Sequence, residues 1–155
     1  MRRKDREISG RENILAIVNK CEYMTLALCD GGEPYAVTVN FGVLEKEGKL
    51  FLCFHCAKEG KKLDIIEKNN RVAFAMTAQY ETVKNDLACK WTAKYQSAAG
   101  EGRAFKVSED EKEEFFNAVM KNAGGPEKSV FDKNAIKNTN IIKIEVEEIS
   151  AKANI

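Results

Sequence analysis

The sequence predicts a mainly β fold with flanking helices, in which about six antiparallel strands form a barrel. Strand-like segments follow one another through short polar turns, and helical segments stand only at the start, after the third strand and before the last. This order does not repeat the βαβ alternation of a parallel sheet. The 155 residues, 44% hydrophobic and 32% charged, suit one domain covering 1–155 with a single core.

The predicted strands are rich in β-branched and aromatic residues. They cover Met24–Leu28, Tyr35–Phe41, Leu50–His55, Arg71–Met76, Lys90–Ala104 and Ile141–Glu147. The apolar run of the third strand predicts burial on both faces. Residues 79–89 show no period, and Gly100 and Gly102 mark the expected bend or bulge of the fifth strand.

Apolar residues at helical spacing predict helices over 10–20, over 58–70 and from Ser108 to the Gly124-Gly125-Pro126 stop. Ser9 with Glu12 and Ser108 with Glu111 have the spacing of a capping box. Residues 129–138 are expected to add a short helical turn. The basic segment before the first helix is predicted to be a solvated arm.

Charge and composition narrow the class of function. Lysine plus arginine number 25 against 24 acidic residues, a net charge of +1, which argues against a broad nucleic-acid-binding face. No apolar run approaches the roughly 20 residues of a membrane span, and the Met-Arg-Arg-Lys start lacks a signal-peptide core. The five irregularly spaced cysteines indicate reduced thiols, so we expect no membrane association and a cytoplasmic location.

The segment from Phe54 to Asp64 runs from a strand into the first turn of a helix and carries Lys61 and Lys62. Unpaired N–H groups and the partial positive charge at a helix start, with two lysines, suit a phosphate. Spacing alone favours the alternative of two exposed lysines on a solvated helix. The frame of a Walker loop is absent.

His55 is the only histidine, and it adjoins this segment. A lone histidine in an apolar strand is usually a hydrogen-bonded structural residue, although its place beside a phosphate site also suits proton delivery. Cys53 and Cys56 match Cys-x-x-Cys. In a strand, however, their side chains point to opposite faces, and no second pair exists, so we expect no metal site.

Several polar and aromatic strand residues have both a structural and a ligand-binding interpretation. Asn40 in an apolar strand requires a partner, either the backbone or the polar edge of a ligand ring. Phe41, Trp91 and Tyr95 are core residues or walls for a flat ligand. Ser97 either reaches a phosphate or caps its own turn.

Taken together, these segments resemble the pyridoxamine-phosphate-oxidase-like FMN-binding split barrels, and within them the nitroimidazole-resistance (NimA-like) proteins. The matching segments, in chain order, are Arg3–Ile8, Pro34–Gly42, Phe54–Ala57 with Gly60–Leu63, Asn69–Phe74, Cys89, Tyr95–Ser97 with Gly100–Gly102, and Ile149–Lys152. The resemblance covers nearly the whole chain.

The resemblance implies a six-stranded split barrel that forms a homodimer, with two FMN molecules in clefts at the subunit interface. It implies that Val37, Thr38, Val39 and Asn40 line the flavin, that His55 and Cys56 approach it, and that Lys61 and Lys62 hold its phosphate. It assigns Tyr95 and Ser97 to the cofactor as well. Thr38, Gln96 and 150–152 depart from the family's usual proline, arginine and Thr-Gly-Lys.

The implied activity is an FMN-dependent oxidoreductase that passes electrons from NADH or NADPH to a small acceptor, with His55 as the residue to test for proton delivery. Vitamin B6 oxidation is not expected, because the chain has no Arg-x-His motif near its end. The alternatives are a non-catalytic flavin carrier or sensor, and a split barrel that binds haem or a deazaflavin.

Overall fold

The computed structural model describes residues 3–155; Met1 and Arg2, part of the predicted arm, lie outside the described residues. The strands are β1 (Glu7–Ile8), β2 (Tyr23–Asp30), β3 (Glu33–Asn40), β4 (Gly42–Lys46), β5 (Lys49–Cys56), β6 (Arg71–Val83), β7 (Thr92–Lys106) and β8 (Asn140–Asn154). The helices are α1 (Arg11–Val18), α2 (Lys61–Lys68), α3 (Lys112–Asn122) and α4 (Lys133–Asn138).

The strands form one antiparallel sheet in the order β3-β2-β6-β7-β8-β5-β4, with β1 paired to β8. The sheet is not closed, because β3 and β4 stand at its two ends. Only Phe41 separates these strands in the chain, so the two edges meet there and diverge from it. The predicted antiparallel fold with flanking helices is confirmed, with eight strands among the described residues instead of six.

Two strands are longer than predicted. β6 continues through Gln79 to Val83, beyond a register shift after Thr77, and forms an arm with the first half of β7. Most of this extension is exposed, which explains why its sequence shows no period. β8 continues to Asn154, where Ala151 and Ala153 restore the buried alternation.

The bulge predicted near Gly100 and Gly102 is confirmed by a register shift between Glu101 and Gly102. A Cβ atom on Gly102 would lie 2.1 Å from the backbone oxygen of Glu145, so β8 leaves no room for a side chain at this position. The glycine permits the close approach of the two strands.

The capping-box predictions are wrong. Neither Ser9 nor Ser108 caps a helix: α1 starts after Gly10 without a side-chain cap, and Ser108 Oγ donates to the Glu111 carboxylate at 3.2 Å.

The prediction of a solvated arm before α1 is also wrong for the described part of that segment. Residues 4–6 form a 3-10 turn, and β1 pairs with β8 through Glu7 and Lys152, a long-range contact that local pattern does not reveal.

The core forms on both faces of β5, as its apolar run predicts. Leu52, Phe54 and Cys56 face the barrel interior, where α1 and α2 contribute apolar side chains, namely Ile17, Val18, Ile65 and Ile66. Phe51 and Cys53 face the other way and pack against α3, with Phe115 and Val119. α3 therefore covers the outside of β5, and α2 closes one end of the interior.

Candidate functional site

The first turn of α2 has backbone donors that remain unpaired. The N-cap residue Gly60 has φ 146° and no side chain, and its carbonyl accepts from the N–H of Leu63 at 2.8 Å. Within residues 3–155 the N–H groups of Lys61 and Lys62 have no acceptor. Because the positive end of the helix dipole lies at the same point, this turn has the donors and the potential that an anion requires.

Lys61 connects this turn to β3. Its Nζ lies 4.7 Å from the centre of the Tyr35 ring, in a cation–π contact. The start of α2 is therefore fixed against one edge of the open sheet. Lys62 lies near the end of β5, since its charge acts on the thiol of Cys56. Burial raises the pKa of this thiol, and the charges of Lys62 and Lys106 partly oppose the rise.

β3 presents two different faces beside this turn. Val37 and Val39 are half-buried and pack on the interior cluster, whereas Thr38 and Asn40 are exposed on the outer face. The Asn40 side-chain amide donates to the backbone oxygen of Glu22 at 3.1 Å. Of the two predicted partners, the backbone and a ligand ring, the structure therefore shows the backbone. Among residues 3–155, β3 pairs only with β2, which leaves the backbone groups on its other edge available.

His55 lies on the same side of β5 as Cys53, and its exposed ring stacks on Phe116 of α3 at 6.4 Å and 27°. Cys56 points to the interior, so it could offer a ligand only backbone atoms. The two cysteines thus face opposite ways, as strand alternation predicts. Within residues 3–155 no group of three or more metal-ligating side chains comes together.

Part of the outer face of the sheet consists of small, exposed side chains. One row of paired residues crosses five strands, and every member is exposed: Thr38, Thr25, Ala75, Ala99 and Ser150. The next row begins with three further exposed alanines, Ala36, Ala27 and Ala73. We call this surface the small-residue face.

Tyr95 and Ser97 lie on β7, at one end of the small-residue face, and do not reach Lys61 within one chain. Three strand steps separate β3 from β7, or about 14 Å at the usual strand spacing. Ser97 and Ala99 share the outer face, since the intervening Ala98 is buried. The other two aromatic candidates differ: Phe41 is a core residue and Trp91 is about half exposed on the β6–β7 arm.

Two basic residues that sequence analysis missed lie beside Tyr95 and Ser97. The Arg6 guanidinium lies 5.8 Å from the centre of the Tyr95 ring and donates to its hydroxyl at 3.4 Å. Arg6 Nε is buried and has no acceptor among the described residues. Lys152 is the register partner of Ser97. The β1–β8 pairing brings Arg6 here and the β7–β8 pairing brings Lys152, so only the fold places these residues together.

The open antiparallel barrel, with a cationic helix start at the opening between its edges, defines the split-barrel class of ligand-binding proteins. A model of the family described as pyridoxamine 5'-phosphate oxidase matches residues 10–153. The chain belongs to this family of flavin-binding split barrels. No curated protein matches it in sequence.

Solved structures share the fold at low identity. A candidate 5-nitroimidazole antibiotic resistance protein from Bacteroides thetaiotaomicron has a TM-score of 0.79 and 22% identity, covering 94% of this chain and 85% of that one. An FAD- and haem-binding protein from Mycobacterium smegmatis has a TM-score of 0.81 and 19% identity, with 96% and 73% covered. A flavocytochrome from Azotobacter vinelandii has a TM-score of 0.77 and 17% identity, with 100% and 72% covered.

The structure also bears on membrane association. In the part of the chain that it describes, no helix has the length and apolar character required to cross a bilayer.

Proposed function

We propose that this protein is an FMN-dependent oxidoreductase that works as a homodimer and passes electrons from NADH or NADPH to a small acceptor. The observation that carries the proposal is the start of α2, where the unpaired N–H groups and side chains of Lys61 and Lys62 stand at the opening between the sheet edges. These groups suit the phosphate of the nucleotide.

The residues at this turn fit a phosphoryl group sterically as well as electrostatically. A Cβ atom built on Gly60 would meet nothing within 4 Å, so the space beside the free N–H groups is open. Val37 and Val39 offer apolar contact, and the free edge of β3 offers backbone donors and acceptors of the type that a flavin ring edge requires.

The separation of the two predicted groups of cofactor residues supports the proposed homodimer. Lys61 and Lys62 lie at β3 and α2, whereas Tyr95 and Ser97 lie three strands away across the small-residue face. A second copy packed on that face would bring its own Tyr95 and Ser97 toward β3 of the first. Small side chains permit such close packing of two sheet faces. Arg6 and Lys152 would accompany them and add positive charge.

When bound, FMN supplies the hydride and electron transfer chemistry, and the protein supplies binding and orientation. Lys61 and Lys62 would hold the phosphate, and Thr38 and Asn40 would contact the ring from the outer face of β3. His55 carries the only imidazole of the chain, and its ring is exposed six residues before Lys61. We assign it proton delivery to the acceptor.

The absorbance spectrum of the purified protein and a turnover assay test the proposal together. We expect flavin bands, and oxidation of NADH or NADPH in the presence of nitroaromatic or quinone acceptors. Flavin bands without turnover would indicate a carrier or sensor instead. A Soret band, or a colourless protein that does not bind added FMN, would reject the flavin assignment.

A further inference from the structure

A second cleft lies between α2 and the neighbouring ends of β7 and β8. Its volume is about 590 Å³, within the range of small-molecule sites. Leu63 and Ile66 of α2 form one wall, and Phe105 and Ile142 at the ends of β7 and β8 form the other. Phe105 is 40% exposed, so an aromatic surface faces the open space.

The polar groups of this cleft are mainly cationic. Lys58 and Lys106 line it, and within residues 3–155 neither forms a salt bridge. Lys68 also lines it but is paired with Asp30 at 3.4 Å. Of the acidic side chains nearby, Glu67 lies on the rim, and Glu109 is bound by Lys112 at 2.7 Å.

The charges of Lys58 and Lys106 act on the same region. The hydrogen bond from Lys112 lowers the pKa of Glu109, and the charges of Lys106 and Lys58 lower it further. Lys58 is also held in place by a buried side chain. Asn140 is 4% exposed, and its amide donates to the backbone oxygens of Ala57 and Lys58 at 3.4 and 3.3 Å.

We propose that this cleft is a second ligand site, which binds a small organic anion with a flat apolar body. The apolar body would pack between Leu63 and Phe105, and a carboxylate or phosphate would lie between Lys58 and Lys106. Unpaired cations beside an apolar wall discriminate such a ligand from its neutral analogue, because an acidic group gains charge-assisted hydrogen bonds. The cleft shares no lining residue with the proposed flavin site.

Naphthalene-1-carboxylate is a suitable probe, with naphthalene-1-carboxamide as the neutral analogue of the same shape. We expect a ¹⁵N–¹H NMR titration to shift the amides of 63–67 and 104–106, with the acid binding about tenfold more tightly than the amide. The Lys58→Gln/Lys106→Gln variant should lose most of this difference. The matched Lys90→Gln/Lys94→Gln variant, with both changes on the β6–β7 arm, should retain it.

Shifts confined to another surface, or equal affinities for the acid and the amide, would overturn the proposal. Displacement of the probe by FMN would also overturn it, because the cleft would then belong to the flavin. Failure of FMN to bind at all would reject the proposed function without affecting this site. A folded Lys58→Gln/Lys106→Gln variant that keeps the full preference for the acid would show that other groups bind the anion.

Discussion

The side-chain nitrogen of Lys61 lies 4.7 Å from the centre of the Tyr35 ring, so the first residue of α2 is held against the start of β3. A cation–π contact of this kind contributes about 0.5–1 kcal/mol at an exposed position. Its main consequence is geometric, because it fixes the direction of the free N–H groups of the helix start relative to the edge of the open sheet.

The phosphate assignment can be tested by removing both lysines. We expect Lys61→Ala/Lys62→Ala to weaken FMN affinity by about ten- to a hundredfold, since hydrogen bonds to charged groups contribute about 1.5–3 kcal/mol each and backbone donors would remain. Fluorescence titration with FMN measures this change. Lys90→Ala/Lys94→Ala on the arm is the control. Equal affinity in the two double variants would place the phosphate elsewhere.

The small-residue face should be the dimer interface. Ala75→Arg places a long charged side chain at the centre of this face, where two packed sheets leave no room for it. Sedimentation velocity should then show a monomer with reduced FMN affinity. Val130→Arg, at a fully exposed loop position, should remain dimeric. A dimeric Ala75→Arg protein would exclude this face.

Gly42 should be intolerant of any side chain. A Cβ atom there would lie 2.4 Å from the backbone carbon of Ala118 and the backbone nitrogen of Val119, and neither can move without displacing α3. We expect Gly42→Ala to lower the free energy of unfolding by about 3 kcal/mol, measured by urea denaturation. A loss below about 0.5 kcal/mol would mean that α3 packs less closely on β4.

The thiols should differ strongly in reactivity. Burial raises the pKa of Cys53 to about 12 and that of Cys21 to about 11, whereas Cys89 is exposed. Brief treatment of the native protein with iodoacetamide at pH 8, followed by peptide mass spectrometry, should find Cys89 modified first and these two last. All five should react in denaturant. Early modification of Cys53 would contradict its burial.

The raised thiol pKa values also have a consequence for stability at high pH. A thiol whose pKa is higher in the folded than in the unfolded state stabilises the fold below the unfolded value of 9.0, and this contribution is lost as the pH rises toward the folded value. We therefore expect the free energy of unfolding to fall between about pH 9 and 12. Cys53→Ala should reduce this slope, as urea denaturation at several pH values can show.

Glu111 should stabilise the fold only when ionised. Its carboxylate accepts from Lys143 at 2.9 Å and Lys46 at 3.3 Å, and the hydrogen bond from Lys143 lowers its pKa from the ordinary 4.5. The stabilisation by the ionised carboxylate is present above the pKa that Glu111 has in the unfolded state. It is lost as the pH falls through the lower pKa of the folded state. We expect Glu111→Gln to cost roughly 1 kcal/mol at pH 7 and less at pH 3.

Urea denaturation at pH 7 and pH 3 measures the effect of Glu111. The control is Glu81→Gln, because Glu81 is exposed on the arm and has no ion pair among the described residues. A cost for Glu111→Gln that does not change with pH would indicate a steric rather than an ionic role.

The sequence predicts most accurately where one local pattern determines the structure. The apolar run of β5 predicts burial on both faces, and helical spacing over 58–70 predicts α2, which begins at Lys61. β4 was missed because only Val43 and Leu44 precede a polar turn, and β1 because a strand of two residues has no period.

The candidate site was predictable only in part, because its residues come from distant strands. Lys61 and Lys62 follow from one segment. In contrast, Arg6 reaches Tyr95 through the pairing of Glu7 with Lys152, and Lys152 reaches Ser97 through the pairing of β8 with β7. Both pairings join distant parts of the chain. No local periodicity encodes such a pairing, so sequence reasoning placed Arg6 in a solvated arm.

β8 lies between β7 and β5 in the middle of the sheet, although it is the last strand of the chain. In the register of β8 with β5, Phe51 pairs with Glu145, although more than half of the sequence lies between these two residues. β5 can pair with β4 and β7 with β6 before β8 is made, but one edge of β5 and one edge of β7 stay unpaired until β8 has left the ribosome. Folding of this barrel should thus depend strongly on β8, the last of its described strands to be made.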